Sequence, residues 1–216
     1  SKLLIGEDCV ERWPEFVDLI VESIAANGGR SCVNASAVVV PRHGDEIAAA
    51  VAERLARIRP RPADDENAAL AGFANPKMAD FIDGAIEDGL KTPGASDVTA
   101  KYRTGPRKVT LDGGAFVRPT IVHCDSFAHP LANREFLCPY ASIVQVPQAE
   151  MLKQIGYTLA ASVITKDPAF IDQVMAYPHI ERLNIGPVST MKISWDQPHE
   201  GNMFEFLYKR RSIEVA

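Results

Sequence analysis

Apolar side chains recur along this chain in two rhythms, one of about 3.6 residues and one of runs four to eight long, and their alternation predicts the elements. Trp13, Phe16, Val17, Ile20 and Ile24 fall on one helical stripe. Pro14 suits the first turn of that helix, where its missing N–H would be unpaired anyway. Asn27-Gly28-Gly29 ends it, because these residues tolerate the left-handed backbone of a helix stop. A strand is expected before it over 1–6, and a Val-rich strand after it over 35–40, closed by Pro41. Ile47, Val51, Leu55 and Ile58 predict a second helix over 45–58. Asn75-Pro76 reads as cap and first turn of a third helix running to Gly89, with Met78, Phe81, Ile82 and Ile86 inward. The segment 92–114 lacks period and reads as a loop with a short strand at 108–111. Strands are expected at 116–122, 141–146, 160–165 and 182–185. Helices are expected over 148–155 and after Asp167-Pro168, the latter carrying Phe170, Ile171, Val174 and Met175. This order predicts an α/β fold. The stretch 189–216 has less pattern, although Trp195, Phe204, Phe206 and Leu207 are apolar enough to dock.

Composition adds boundaries to that picture. With 216 residues, 46% hydrophobic and 24% charged, the chain can bury one sizeable core. A net charge of -5 gives no case for a nucleic-acid or anionic-membrane partner. The basic run Lys209-Arg210-Arg211 reads as a solvated segment. No apolar stretch reaches the roughly 20 residues of a membrane span, and no signal-peptide pattern opens the chain. Four cysteines without a CxxC pair argue against a zinc site and leave a reducing cytoplasm as the default expectation.

The chain has no GxGxxG, no GxxxxGK[ST] and no GxSxG, so it contains no local dinucleotide loop, triphosphate loop or serine elbow. Its five histidines are dispersed without metal spacing, and no metal is expected. Cys32 stands apart by its surroundings, Asn27-Gly28-Gly29-Arg30-Ser31-Cys32. The glycines let backbone approach a bound molecule closely, a strand begins just after, and Arg30 is placed to favour the reactive thiolate. Read from pattern alone, a lone cysteine beside a strand is more often a buried, inert residue.

Four segments, in order, resemble the aldehyde dehydrogenase superfamily. Asn27–Cys32 is similar to the nucleophile stretch N-x-G-Q-x-C, with Arg30 in place of Gln. Gly114-Ala115-Phe116-Val117-Arg118-Pro119-Thr120 is similar to G-x-F/Y-x-x-P-T. Arg134-Glu135-Phe136-Leu137-Cys138-Pro139 matches E-E-x-F-G-P at Glu135 and Pro139 and departs at Leu137 and Cys138. Tyr157 to Asp167 is similar to Y-G-L-x-A-x-V-F-T-x-D. The resemblance covers roughly 1–184. It implies a three-layer α/β/α catalytic domain over 1–216, expected to be the thiol-bearing part of a longer protein whose N-terminal portion binds most of the cofactor.

Carried over to this sequence, the resemblance implies Cys32 as nucleophile and Glu135 as the carboxylate that holds the ribose of NAD or NADP. The implied reaction oxidises an aldehyde through a thiohemiacetal and a thioester on Cys32. The Cys32 N–H would be half of an oxyanion hole, contributing about 3 kcal/mol by the usual magnitude. The family's general-base glutamate and the Asn completing the oxyanion hole belong to the portion ahead of Ser1, so the 216-residue chain is expected to be inactive alone. No P-F-G-G-type segment is found near the end, where Trp195 to Asn202 stands instead. Two other readings stay open: an acyl-CoA reductase running the same thioester chemistry in reverse, and a non-catalytic relative kept for binding or assembly. Homo-oligomers are usual in the family and are expected of the intact protein.

Overall fold

A computed structural model describes residues 1–198 together with Gly201, Met203, Leu207 and Glu214. Its elements follow in the order β1 (Lys2–Ile5), α1 (Val17–Ala25), β2 (Ala37–Val40), α2 (Gly44–Ala56), α3 (Pro76–Leu90), β3 (Ala95–Asp97), β4 (Lys108–Leu111), β5 (Gly114–Val117), β6 (Thr120–Cys124), β7 (Tyr140–Gln145), α4 (Gln148–Ile155), β8 (Thr158–Ile164), α5 (Pro168–Ala176) and β9 (Ile180–Ile185).

Seven strands form one sheet in the order β3-β6-β7-β2-β1-β8-β9. All neighbours run parallel except β3 against β6. β1 lies well inside the sheet, with Leu3 opposite Val38 on one side and Ser162 on the other. β4 and β5 pair as a separate antiparallel hairpin.

The valine and isoleucine runs reflect burial on both faces, the usual condition of a parallel sheet. One face presents Leu3, Ile5, Val38, Val40, Ile121 and Ile143 to Ile20 and Ile24 of α1 and to Ile47, Val51 and Leu55 of α2. The other presents Leu4, Val39, Val122, Val144 and Val163 to α3, α4, α5 and the hairpin, through Ile82, Ile86, Met151, Phe170, Ala115 and Val117. Two apolar layers around one sheet make the three-layer α/β/α arrangement.

Several expectations change in detail. The first helix is two pieces: a 3-10 stretch over Val10–Phe16 precedes α1, and Arg12 departs from helical angles. On α3 the buried line is Ala79, Ile82 and Ile86, whereas Met78 is 38% and Phe81 60% exposed. Asn75 caps α3 as expected, its side chain accepting from Lys77 N at 3.1 Å. The expected strand 116–122 is two strands in two different sheets, broken at Arg118-Pro119, where proline has no N–H to continue a ladder. β3 forms inside the expected loop, by pairing Ser96 with His123 at the sheet edge. Asp167 caps α5 by accepting from Ala169 N, but of its expected stripe Met175 is exposed. Trp195 and Leu207 are also exposed; Phe204, Phe206 and Lys209-Arg210-Arg211 lie outside the described residues. No helix among the described residues is long and apolar enough to cross a membrane.

Candidate active site

The N-terminal ends of β1, β2 and β7 meet at a cleft of about 290 Å³, and two segments far apart in sequence wall it. The first wall begins where α1 stops. Asn27, Gly28 and Gly29 hold φ of 54°, 66° and 67°, so the chain leaves the helix through three left-handed residues. Gly29 is doubly required. A Cβ there would fall inside contact distance of Pro139 N and Cys138 C, so the second wall lies directly on its backbone.

Asn34 then shapes the turn that carries the thiol. Its Oδ1 accepts from Ser31 N at 2.8 Å, and its backbone N–H donates to Ser31 O at 3.0 Å. Its Nδ2 donates to Ser23 O and Ala26 O, each at 3.1 Å, tying the turn to the end of α1. Residues 189–191 back this arrangement: Thr190 N donates to Ser23 Oγ, and Met191 Sδ lies 3.3 Å from Asn34 Nδ2. Cys32 projects from the tip and is the exposed one of the four cysteines; Cys9, Cys124 and Cys138 are buried. Its N–H donates to no acceptor among the described residues.

The second wall is the stretch 133–138 leading into β7. Cys138 and Tyr140 are buried, and the Phe136 ring meets Tyr140 edge-on at 4.8 Å. Glu135 stands at the lip of the cleft, its side chain 64% exposed. Its Oε1 accepts from Ser36 Oγ at 3.3 Å and from the backbone nitrogen of Ser1 at 2.8 Å. The Lys2 charge and the Ser36 hydroxyl favour the ionised form of Glu135. Lys2 is buried beneath, donating from Nζ to Ser36 Oγ at 3.1 Å; burial lowers its ammonium, against the opposing charge of Glu135.

The fold thus brings the two sequence candidates, Cys32 and Glu135, into one hollow across 103 residues of chain (135 − 32). Arg30, expected to favour a thiolate, turns elsewhere: its Nη2 donates to Ala71 O at 2.8 Å and its guanidinium lies 4.2 Å from the Phe73 ring. Sequence reasoning did not single out Asn34, Ser36 or Lys2. The polar residues of Cys32-Val33-Asn34-Ala35-Ser36, just ahead of an apolar strand, were the available signal. Among the described residues Glu135 is the one carboxylate lining the cleft, and Trp195 does not line it. Among the described residues no three His, Cys, Asp or Glu side chains come together to hold a metal. An exposed thiol beside an unpaired N–H, with an ionised carboxylate across the same cleft, can attack a carbonyl, stabilise the resulting oxyanion and accept hydrogen bonds from a polyhydroxyl group.

The family model described as "Aldehyde dehydrogenase family" matches residues 3–202. No curated protein matches this chain. Among solved structures, an indole-3-acetaldehyde dehydrogenase complexed with NAD+ is similar with a TM-score of 0.77 at 20% identity, over 94% of this chain and 40% of that one. NADP-dependent glyceraldehyde-3-phosphate dehydrogenase from Bacillus halodurans C-125, complexed with NADP, gives 0.71 at 20% identity, over 91% and 39%. Lactaldehyde dehydrogenase from Escherichia coli gives 0.76 at 16% identity, over 93% and 41%. At these identities the likeness is one of fold, and this chain spans about two fifths of the length of each.

Proposed function

Because this chain belongs to the aldehyde dehydrogenase family, we propose that it is the thiol-bearing catalytic part of a NAD(P)-dependent aldehyde dehydrogenase, with Cys32 as nucleophile and Glu135 as a cofactor-holding carboxylate. The observation that carries this reading is the shared cleft: Cys32 and Glu135 line one hollow, joined where Gly29 touches Pro139.

In this reading the Cys32 thiolate attacks the aldehyde carbon, forming a C–S bond while the carbonyl π pair moves to oxygen. The Cys32 N–H, which donates to no acceptor among the described residues, receives that developing charge in this reading. Collapse of the alkoxide expels hydride and leaves a thioester on Sγ. The nicotinamide cofactor supplies the hydride acceptor. Glu135 fits a ribose because its carboxylate is largely exposed at the cleft lip and already an acceptor for the Ser36 hydroxyl. Water cleaves the thioester to acid and free thiol, with a base supplied from outside these 216 residues. The isolated chain is accordingly proposed to be inactive, and the intact protein to act as a soluble cytoplasmic oligomer on a small aldehyde. An acyl thioester reduced in the reverse direction is the second reading, and it gains if the intact protein has no glutamate to serve as that base.

The test is turnover of an aldehyde panel by the intact protein, with NAD and NADP in parallel. Cys32→Ala is expected to abolish it; equal turnover by that variant would falsify the assignment. Acyl-CoA reduction faster than aldehyde oxidation would select the second reading.

A further inference from the structure

Away from the thiol cleft, the hairpin side of the molecule holds arginine and acidic groups that balance one another, and one arginine without an acidic partner among the described residues. Arg103 and Arg107 are buried, and each is matched. Arg103 Nη2 and Arg107 Nη2 donate to the same Asp97 Oδ2 at 2.9 and 2.8 Å. Arg107 Nη1 reaches Asp83 and Glu87 at 2.9 Å each. Arg118, just past β5, is only 6% exposed and has no acidic partner among the described residues. Its Nη1 donates to the Thr104 carbonyl at 2.7 Å; its Nε, like those of Arg103 and Arg107, finds no acceptor among the described residues, and its Nη2 bonds to none of them.

An arginine whose side chain is largely buried, with no acidic partner among the described residues, carries a cost, and arginine does not escape it by deprotonating. Burial first, and the neighbouring charges of Arg103 and Arg59 next, act against the Arg118 charge. Arg118 also lines a separate cavity of about 340 Å³ with Arg59, Pro60, Thr104, Val109 and Leu111. Arg59 is exposed and, like Arg118, forms no ion pair among the described residues. No residue of this cavity lines the Cys32 cleft.

We propose that the cavity between Arg59 and Arg118 is an anion site for a small phosphate monoester, held by the two guanidinium groups with its organic part against Pro60, Val109 and Leu111. Two cations facing one opening match a dianion, and the guanidinium fork suits phosphate oxygens. The volume exceeds that of a bare phosphate and leaves room for a short apolar or hydroxylated stem. The bound dianion supplies the counter-charge that Arg118 lacks among the described residues. This site stands independently of the chemistry assigned to Cys32.

The test is thermal unfolding of the intact chain with increasing inorganic phosphate, and with phenyl phosphate in parallel, at ionic strength matched by chloride. Phosphate at about a hundredfold excess over its Kd is expected to raise the midpoint by roughly 5 °C, and phenyl phosphate to do so at lower concentration. Arg118→Met is expected to melt no lower than the parent in chloride, since it removes an unbalanced charge, and to lose the phosphate response. Arg59→Ala, at an exposed position, keeps the fold and is expected to weaken phosphate by about tenfold, equivalent to the loss of one charge-assisted contact. Equal phosphate shifts in the parent and both variants overturn the proposal. So does a parent that is dimeric through this face and becomes monomeric in Arg118→Met, which would make a carboxylate of a second copy the counter-ion.

Discussion

The two walls of the thiol cleft are built in opposite ways. The wall carrying Cys32 is pinned. Asn34 alone makes four hydrogen bonds within it, to Ser31 twice, to Ser23 and to Ala26. The wall carrying Glu135 is draped. Residues 133–137 are exposed or half-buried, and none of the backbone N–H groups of 133–138 donates to another backbone group outside regular elements. It is anchored from behind instead, by buried Cys138, by Tyr140 Oη donating to Leu131 O at 2.8 Å and by the Phe136–Tyr140 ring contact. A nucleophile needs one fixed position, whereas a group that receives a ligand's hydroxyls tolerates adjustment. The contrast between a pinned thiol and an adaptable carboxylate is what the proposed chemistry asks of each.

One cysteine from each wall gives the largest expected difference. Burial pushes the Cys138 thiol up to about 12, while Cys32 is exposed. Iodoacetamide at neutral pH is expected to modify Cys32 at least roughly a hundredfold faster than Cys138, because the thiolate is the reactive form and must be reached. Comparable rates, read by peptide mass spectrometry, would remove the distinction between the walls.

Gly29→Ala strikes the point where the walls touch. It meets both a φ of 67° and the backbone of Cys138-Pro139, and is expected to cost about 3 kcal/mol in denaturant unfolding. Asn34→Ala leaves the Ser31 N–H without its partner and removes the ties from Nδ2 to Ser23 O and Ala26 O, and about 2 kcal/mol is expected to be lost. Its Cys32 alkylation rate should change as well, since the turn loosens. Phe136→Ala removes an aromatic contact from the draped wall and is expected to cost only about 1 kcal/mol. A larger loss for Phe136→Ala than for Asn34→Ala would invert the comparison.

The last effect, which builds up only above pH 9, is one of pH. An ordinary thiol loses its proton near 9.0, whereas burial keeps Cys138 neutral in the fold up to about 12. Between those limits the unfolded chain releases a proton that the folded chain keeps, so stability present below pH 9 falls as pH rises, by at most about 1.4 kcal/mol per pH unit for this group. Cys138→Ala is expected to flatten that alkaline fall in unfolding curves; an unchanged slope would show that other groups govern it.

Much of the architecture was readable along the chain because local signals agreed with burial. Ala37, Val38, Val39 and Val40 are apolar without alternation, as a strand covered on two faces requires, and Asn75-Pro76 and Asp167-Pro168 each cap a helix. The misreadings came where two patterns fitted equally. Met78 and Phe81 share helical spacing with Ile82, and only the placement of α3 selects the line Ala79-Ile82-Ile86. Ala95-Ser96-Asp97 has no strand pattern, and becomes β3 because β6 offers it a free edge.

Sequence by itself determined the α/β class, most element types, the helix stop before the thiol and the candidates Cys32 and Glu135. Tertiary structure alone decided that these two face one cleft, that the cleft opens at the N-terminal ends of the strands, that Arg30 turns away to Phe73, and that Arg118 is buried without a counter-charge among the described residues. The reason is physical. Propensity, capping and turn chemistry act over a few neighbouring residues and leave a local trace, whereas the distance between residues 32 and 135 depends on strand pairing and packing across the whole sheet, for which spacing along the chain carries no measure.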